Sequence, residues 1–274
     1  MPAINTNTAA NSAVRYLNLN SAQESSALSK LSSGSRITSA SDDAAGLAIS
    51  TRISSDITTL QQAATNTSEA TAILQTADGG ASNISDILAR MKSLASESAS
   101  GTVTDSSRTY INSEFTQLSS EIDSIASGTR YSSQSLLDGS SVFASGVSVL
   151  VGSQSTDTIT ISLSSLTSTS LGVKTLDVST QADANTALTT LDAAINTVSA
   201  ARADIGAQES RFNFSADSIS TQTQNLQSAN SAISDVDIAS EQATLSSAEV
   251  KTQAAVSAEA AANQMPQYLL KLLG

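Results

Sequence analysis

The feature that most constrains the fold is a regular spacing of three and four residues between seam positions in the C-terminal half of the chain. The spacing continues without a slip through Leu188, Leu191, Ile195, Val198, Arg202, Ile205, Glu209, Phe212, Ala216, Ile219, Thr223, Leu226, Asn230 and Ile233. The only prolines are Pro2 and Pro266, so no helix-breaking residue interrupts it. A helix of this span is about 70 Å long, and its largely apolar stripe demands partner helices, as in a coiled coil.

Three segments of the N-terminal half carry the same spacing and are the expected partners. They contain Ile53, Ile57, Leu60, Ala64, Thr67, Thr71 and Leu74; then Ile84, Ile87, Met91 and Leu94; then Ile111, Phe115, Leu118, Ile122 and Ile125. Gly79 and Gly80 separate the first two segments. Asp105 or Ser106 is the predicted N-cap of the third helix, and Gly128 is its predicted end.

The middle of the chain, residues 131–180, has a different pattern. Two short runs rich in β-branched residues, at 147–151 and 158–163, flank a polar stretch at 152–157. The second run alternates apolar and polar residues, which is typical of a strand with one buried face. The pattern predicts a β-hairpin set among solvated Ser/Thr-rich turns.

The two ends of the chain carry sparse apolar stripes. They consist of Val14, Leu17, Leu28 and Leu31, with Ser21 and Glu24 at intervening seam positions, and of Ile238, Leu245, Val256, Met265, Leu269 and Leu272. Neither stripe has enough large apolar residues to stabilise an isolated helix in water. We therefore expect the ends to order only when they pack on each other or on other chains.

Composition argues against several classes of function. The formal net charge is −12, with 25 acidic and 13 basic residues, which argues against binding to nucleic acid or to an anionic membrane surface. No apolar run is long enough for membrane insertion, and the polar N-terminus lacks the features of a cleaved signal peptide. Histidine and cysteine are absent. The usual general base and any thiolate are therefore missing, so we expect no enzyme, cofactor or metal.

Acidic residues that precede two predicted helices have two interpretations. Asp42 and Asp43 stand before a helical stretch at 44–50, and Asp235, Asp237 and Glu241 surround the start of the last helix. Each group could hold a cation. Carboxylates at a helix start are more simply explained as N-caps that face the positive end of the helix dipole.

Two charged residues occupy seam positions of the long C-terminal helix. Arg202 and Glu209 stand where apolar residues are expected. They indicate either ion pairing and snorkelling across the bundle, or a role in setting the helix register.

Four stretches of sequence carry a resemblance to a known family. They are LSSGSRITSASDDAAGLAIS at 31–50, VLVGSQSTDTITISL at 149–163 followed by SLGVKTLDV, IGAQESRF at 205–212, and AANQMPQYLLKLL at 261–273. In this order they closely resemble the signatures of bacterial flagellins. Residues 176–179 lead almost directly into the long C-terminal helix, so the chain resembles a minimal flagellin with little or no outer variable domain.

The resemblance implies a mainly α fold. It would be a long coiled-coil helical bundle formed by paired N- and C-terminal regions, with a small β-hairpin region in the middle. The implied domains are a discontinuous terminal-helix polymerisation domain, 1–35 plus 240–274, and a helical rod domain, 36–239, that includes the β-hairpin region at about 131–180.

The resemblance also implies a function. The expected role is a structural subunit that polymerises into the bacterial flagellar filament for motility, and the alternative is a flagellar hook–filament junction protein. Expected partners are other flagellin subunits, the flagellar export apparatus and an export chaperone, and the filament cap and hook-junction proteins. The expected location is extracellular, in the filament, after secretion without a cleaved signal peptide.

Particular residues follow from the stripes and the resemblance. Those expected in packing between subunits are Leu17, Leu28, Leu31, Arg36, Asp42, Asp43, Arg52, Leu245, Val256, Leu269 and Leu272. Arg90, Leu94 and Glu114 match a patch by which some flagellins engage a vertebrate Toll-like receptor. The match is partial, because Ser93 stands where those flagellins have an acidic residue.

Overall fold

The computed structural model describes residues 6–273, except for the side chains of Pro266 and residues 268–273. The helices are α1 (Thr8–Ser33), α2 (Ala44–Ala99), α3 (Asp105–Gly128), α4 (Val142–Ser145), α5 (Gln181–Ser234) and α6 (Ile238–Leu273). The strands are β1 (Arg130–Tyr131), β2 (Gln134–Ser135), β3 (Val147–Leu150) and β4 (Thr158–Ile161). The long helices pair α1 with α6 and α2 with α5, which confirms the predicted mainly α fold.

The chain divides into two compact units. The terminal unit comprises Met1–Ser55 and Asn225–Gly274, and the rod unit comprises Asp56–Gln224. The predicted polymerisation domain, 1–35 plus 240–274, lies within the terminal unit. The predicted boundary concerns which residues assemble with other subunits, whereas the observed division reflects compactness within one chain. The predicted domain therefore stays a prediction.

The core of the rod unit combines the predicted seams with apolar residues of the middle region, which lie between residues 136 and 178 and include side chains from the turns predicted to be solvated. Its largest fully buried side chains include Leu74, Ile84, Met91, Phe115, Ile122 and Phe212. On α5 the buried seam continues through Leu191, Val198, Ile205, Phe212 and Ile219. Burying one such side chain contributes about 1.5–3 kcal/mol, and this burial is what pairs helices that are otherwise rich in alanine and serine.

The first seam of α2 differs from the prediction at two positions. Ala63 and Ala70 are buried, whereas the predicted Ala64 is exposed and Thr71 is half-buried. Leu60, Thr67 and Leu74 anchor the seam, and either flank of this row can complete a three-four spacing. The structure uses the flank whose two side chains are both alanine.

Gly79 and Gly80 do not interrupt α2, which continues through them as a single helix. A Cβ on Gly80 would collide with the side chain of Thr129 and lie 2.9 Å from Leu137 Cδ1. The glycine therefore allows close packing rather than breaking the helix. A Cβ on Gly79 would meet no neighbouring atom within 4 Å.

The turn between α2 and α3 is fastened by a buried arginine. Arg108 donates to the carbonyl oxygens of Ser98 (2.8 Å) and Ser100 (2.9 Å), and it pairs with Asp105 at 2.8 Å. The N-cap of α3 is Thr104, whose hydroxyl accepts from the Ser107 N–H, so the prediction of Asp105 or Ser106 was wrong by one or two residues. A cap residue must lie just before the helix with extended backbone, as Thr104 does. The predicted end at Gly128 is confirmed.

The predicted hairpin is confirmed. Strands β3 and β4 pair antiparallel, from Val147 opposite Ile161 to Leu150 opposite Thr158. A smaller antiparallel pair, β1 with β2, was not predicted. It closes through Ser132 and Ser133, which both adopt positive φ without the glycine that usually marks such a turn.

Candidate assembly surface

The terminal unit brings the two chain ends together as helices α1 and α6. The Asn7 side chain caps α1 by accepting from the Ala10 N–H, and Gly34 ends the helix in left-handed conformation. Asp237 caps α6 by accepting from the N–H groups of Ala239 (3.0 Å) and Ser240 (3.2 Å). The local sequence thus determines where α1 begins and ends and where α6 begins.

The seam between α1 and α6 is lined mostly by small residues. The buried apolar residues are Ala10, Ala13 and Ala27 on α1, and Leu245, Ala248, Ala255 and Ala262 on α6. Leu245 is the only large side chain among them. Because an alanine buries little apolar area, this seam contributes far less stability than a leucine seam of equal length.

Many large apolar side chains of the same helices lie outside the seam. They are Val14, Tyr16, Leu19 and Leu28 on α1, and Ile238, Val250, Val256 and Met265 on α6. Leu28 is 59% exposed and Val250 is 70% exposed. Small residues therefore fill most of the seam while many large apolar residues of the same helices face solvent, the reverse of an ordinary helix pair.

Only part of the predicted stripe of α1 lies in the seam with α6, and packing of the rest on other chains stays a prediction. Leu17 and Leu31 are half-buried as expected, but Ala13 and Ala27 occupy the places predicted for Val14 and Leu28. On α6, Leu245 is buried while Val256 is exposed. The side chains of Leu269 and Leu272 lie outside the described residues.

Polar contacts also join the two helices. Asn7 Nδ2 donates to the carbonyl oxygen of Ala262 at 2.7 Å, and the Thr252 hydroxyl donates to Glu24 Oε2 at 3.2 Å. They set the pairing of α1 with α6 without adding apolar burial.

Hydrogen bonds join the α1–α2 connection to the α5–α6 connection. The backbone N–H of Arg36 donates to the carbonyl oxygen of Ser234 at 2.7 Å, and that of Val236 donates to Gly34 at 3.1 Å. The Arg36 guanidinium donates to the carbonyl oxygen of Ile233 through Nη2 (2.7 Å) and Nε (3.1 Å). Arg36 thus has partners within its own chain.

Asp42 and Asp43 organise the start of α2. The N–H groups of Ser39 and Thr38, together with the Thr38 hydroxyl, donate to Asp42 Oδ2 and lower the pKa of this carboxyl. Asp43 accepts from the Gly46 N–H at 2.8 Å and lies 3.6 Å from the Arg36 guanidinium. Asp43 therefore acts as a cap at the start of α2, which confirms the helix-start interpretation. Arg52, on the same helix, is exposed.

Residues 6–273 offer neither a metal-binding cluster of acidic side chains nor a membrane-spanning helix. Over this range no three acidic side chains come together as a metal-binding group. None of the helices in the same range is sufficiently long and apolar to cross a bilayer.

The charged seam positions of α5 have different environments. Arg202 Nε lies 2.8 Å from Asp78 Oδ1 on α2, so the predicted ion pair across the bundle is confirmed, and this hydrogen bond raises the pKa of Arg202. Glu209 Oε1 is buried and has no hydrogen-bond partner among the described residues. A register-setting role for either residue stays a prediction.

The predicted receptor patch is split between surface and core. Arg90 Nη2 lies 2.6 Å from Glu114 Oε1, and both side chains are about half exposed. Leu94 is only 2% exposed and belongs to the rod core.

Sequence reasoning missed Tyr16, Leu19 and Val250 as surface features. All three are large, apolar and exposed, and none falls on a predicted seam. The available signal was their position: an apolar residue off the stripe of an amphipathic helix must face solvent or another chain.

Comparison with known proteins matches both ends of the chain. A family model described as the bacterial flagellin N-terminal helical region matches residues 4–142, and one described as the bacterial flagellin C-terminal helical region matches residues 188–273. The flagellin of Halalkalibacterium halodurans is 35% identical over 272 residues, covering 98% of this chain and 99% of that protein. The flagellar filament 30.7 kDa core protein of Treponema maltophilum is 34% identical over 282 residues, with the same coverage.

Two solved structures are similar. The crystal structure of Bacillus cereus flagellin has a TM-score of 0.52 and 31% identity, covering 61% of this chain and 94% of that chain. A putative flagellar hook-associated protein from Vibrio parahaemolyticus has a TM-score of 0.56 and 16% identity, covering 71% of this chain and all of that one. The second likeness concerns the fold alone.

Proposed function

The chain belongs to the bacterial flagellin family and is a filament subunit of the bacterial flagellum, and we propose that its terminal unit is the part that joins one subunit to the next. The family is structural and non-enzymatic, and its members polymerise into the filament used for motility. The hook–filament junction alternative shares the fold, but both matching family models are flagellin models.

The observation that carries the proposal is the reversed terminal pair. The α1–α6 seam is filled mostly by alanine, while large side chains such as Leu28, Val250 and Met265 face solvent. Each of these contributes about 1.5–3 kcal/mol when a neighbouring chain buries it. Packing between subunits therefore supplies the apolar burial that the seam lacks.

An open polymer suits this surface. The exposed apolar residues lie on both α1 and α6, and the two helices present different side chains. Different patches that meet head to tail generate a helical filament when the rotation between copies does not close. Residues 1–35 plus 240–274 are the proposed polymerisation domain, and residues 36–239 are the proposed rod.

The residues proposed for packing between subunits fall into two groups. The apolar group is Leu17, Leu28, Leu31, Leu245, Val256, Leu269 and Leu272, and the polar group is Arg36, Asp42, Asp43 and Arg52. Exposure of Leu28 and Val256 supports the first group. For the second group, Arg36 keeps half of its side-chain surface exposed beside Asp43, which leaves it able to contact a neighbour.

Further partners and the location follow from family membership. We propose that the flagellar export apparatus and an export chaperone handle the chain inside the cell. The filament cap and the hook-junction proteins contact it outside, where the filament is extracellular. A receptor patch at Arg90 and Glu114, with Leu94 supporting it from the core, is a second proposal supported by their exposed ion pair. Loss of signalling by Arg90→Asp in cells that carry the vertebrate receptor supports it, and a silent wild type ends it.

Seeded assembly tests the main proposal. Purified protein is mixed with filament fragments, and growth is followed by electron microscopy and by the critical subunit concentration. The wild type is expected to grow hollow filaments. The double variant Leu28→Ser, Val256→Ser is expected to raise the critical concentration at least tenfold, because two exposed apolar contacts are lost.

The matched control is Gln23→Ser, Gln253→Ser, which changes two exposed polar residues of the same helices. It is expected to assemble like the wild type. Equal assembly of both double variants would contradict the proposed surface. A wild type that stays monomeric on seeds would contradict filament growth itself and favour the junction role.

A further inference from the structure

Phe214 on α5 is exposed in a protein that has few aromatic side chains to expose. The chain has four phenylalanines, and Phe115, Phe143 and Phe212 are buried, whereas Phe214 is 73% exposed. A phenylalanine exposed to this degree forgoes most of the large apolar burial that its ring offers. This residue therefore calls for an explanation outside the fold of one chain.

The helix geometry directs Phe214 away from the bundle. Phe212 is a seam residue, and two further residues turn the helix by about 200°, which sets Phe214 on the opposite side. Its helical neighbours at three residues are Arg211 and Asp217, both exposed. The aromatic ring is thus flanked by one cation and one anion on an outer face of the rod.

The rod unit is strongly acidic, and Arg211 is one of three basic residues in it, with Arg130 and Lys174, that pair with no carboxylate among the described residues. Of the 25 acidic and 13 basic side chains, 17 and 7 lie in the rod unit, which carries −10 of the net charge of −12. Four of these basic residues, Arg90, Lys92, Arg108 and Arg202, form ion pairs within the chain. Arg211 is exposed, and no carboxylate among the described residues pairs with it.

We propose that Phe214 and Arg211, here called the rod patch, dock onto the acidic rod unit of a second copy of the chain. The inference rests on the proposed filament assembly and adds a contact between rod units to the contact between terminal units. Phe214 supplies the apolar burial, and Arg211 meets a carboxylate of the neighbour. Two rod units of charge −10 repel each other when they approach within about a Debye length, roughly 8 Å at physiological salt, and a cation at the contact offsets part of that repulsion.

The charge complementarity favours a second copy as the occupant. In a polymer, every copy offers the same acidic rod to its neighbours at a fixed distance, and a heterologous contact joins two different patches of identical chains. An aromatic residue beside an arginine is the usual composition of an energetic centre in a protein interface, and a polar rim such as Asp217 is expected around it.

Substitution of the aromatic residue tests the apolar half of the patch. Phe214→Ser is expected to raise the critical concentration for seeded growth about tenfold to a hundredfold, as the loss of a buried phenylalanine requires. Phe214→Leu, which stays apolar, is expected to restore growth to near the wild-type value. Monomer unfolding temperatures of both variants should match the wild type within about 2 °C, because the residue is exposed in the free subunit.

Charge reversal tests the cationic half. Arg211→Glu is expected to raise the critical concentration, and added salt should diminish the effect because the Debye length falls to about 3 Å at 1 M. The control is Lys174→Glu, which makes the same charge change at another exposed position of the rod unit. An equal effect of both reversals, with or without salt, would attribute the result to net charge and overturn the role of Arg211.

Thiol protection gives an independent measurement because the chain has no native cysteine. Phe214→Cys, diluted into excess wild type, is treated with a maleimide before and after assembly. The thiol is expected to react in the free subunit and to be protected in filaments. Filaments that form with unchanged critical concentration and an equally reactive thiol would overturn the rod patch while leaving the terminal contacts intact. Failure of the wild type to grow would instead contradict filament assembly itself.

Discussion

The side-chain amide of Gln208 on α5 holds the backbone of Ser162, the residue that follows β4, through two hydrogen bonds of 3.0 Å. Its oxygen accepts from the Ser162 N–H, and its nitrogen donates to the Ser162 carbonyl oxygen. The amide therefore pairs with the end of the hairpin as a neighbouring strand would. One glutamine thus fastens the β3–β4 hairpin to the longest seam of the rod.

Removal of this amide should loosen the hairpin. Gln208→Ala is expected to lower the free energy of unfolding by about 1–2 kcal/mol, because two hydrogen bonds are lost at a partly exposed site. Urea unfolding measures the change. Gln222→Ala on the same helix is the control, since its amide donates only to the Ser218 hydroxyl. Equal effects of the two variants would contradict the fastening role.

The adjacent glycines of α2 should respond oppositely to the same substitution. Gly79→Ala is expected to stabilise the chain by about 0.5–1 kcal/mol, because alanine is the better helix former and its Cβ meets nothing within 4 Å. Gly80→Ala is expected to destabilise it by about 1–3 kcal/mol, because the Cβ collides with Thr129 and Leu137. Thermal and urea unfolding of both variants check the signs. A loss of similar size at both positions would contradict the close approach at Gly80.

Loss of the buried arginine should open the α2–α3 turn. Arg108→Ala is expected to cost about 2–4 kcal/mol, since it leaves the carbonyl oxygens of Ser98 and Ser100 without their charged donor. Arg130→Ala is the control, because Arg130 is exposed and donates to the single carbonyl oxygen of Ser127. Its expected cost is below about 1 kcal/mol. Circular dichroism during thermal unfolding distinguishes the two, and similar costs would be the contrary result.

Asp42 should make the stability of the terminal unit depend on acidity. Hydrogen bonds from Ser39 and Thr38 hold its pKa below the ordinary 3.8, so the folded chain binds this proton less readily than the unfolded chain. The stabilisation is complete above pH 3.8 and is lost as the pH falls through the lower folded pKa. The stability difference between wild type and Asp42→Asn should therefore shrink on acidification below 3.8. Urea unfolding over a pH series checks this, and a constant difference would contradict it.

The main features of the fold were predictable because they rest on long periodic patterns. The buried row through Leu191, Val198 and Phe212 repeats over many turns, so an ambiguous residue at one position does not change the predicted helix. The β-branched runs predicted the β3–β4 hairpin. Asp43 and Asp237 predicted the capped starts of α2 and α6. In each case the local sequence and the packing favour the same structure.

The finer choices depended on contacts that the sequence does not display. Ala13 is buried rather than the adjacent Val14, and Ala63 rather than the adjacent Ala64, although either member of each pair fits the same spacing. Gly80 was read as an interruption of the helix. A glycine is needed there because Thr129, far along the chain, packs against it, and the local sequence does not show this contact. The terminal stripes were expected to pack on each other or on other chains, and the sequence does not display which of their residues the α1–α6 pair leaves exposed, as it does Val14 and Leu28.

The alanine seam of α1 and α6 has a consequence for local opening. Regions with little buried apolar area open at lower free energy than the core, so the amide hydrogens of the terminal unit should exchange with solvent sooner than those of the leucine- and phenylalanine-rich rod. Assembly must then supply the free energy that closes this pair. Each step of filament growth would then also order the α1–α6 pair of the incoming subunit, which stays conformationally mobile until it contacts a neighbour.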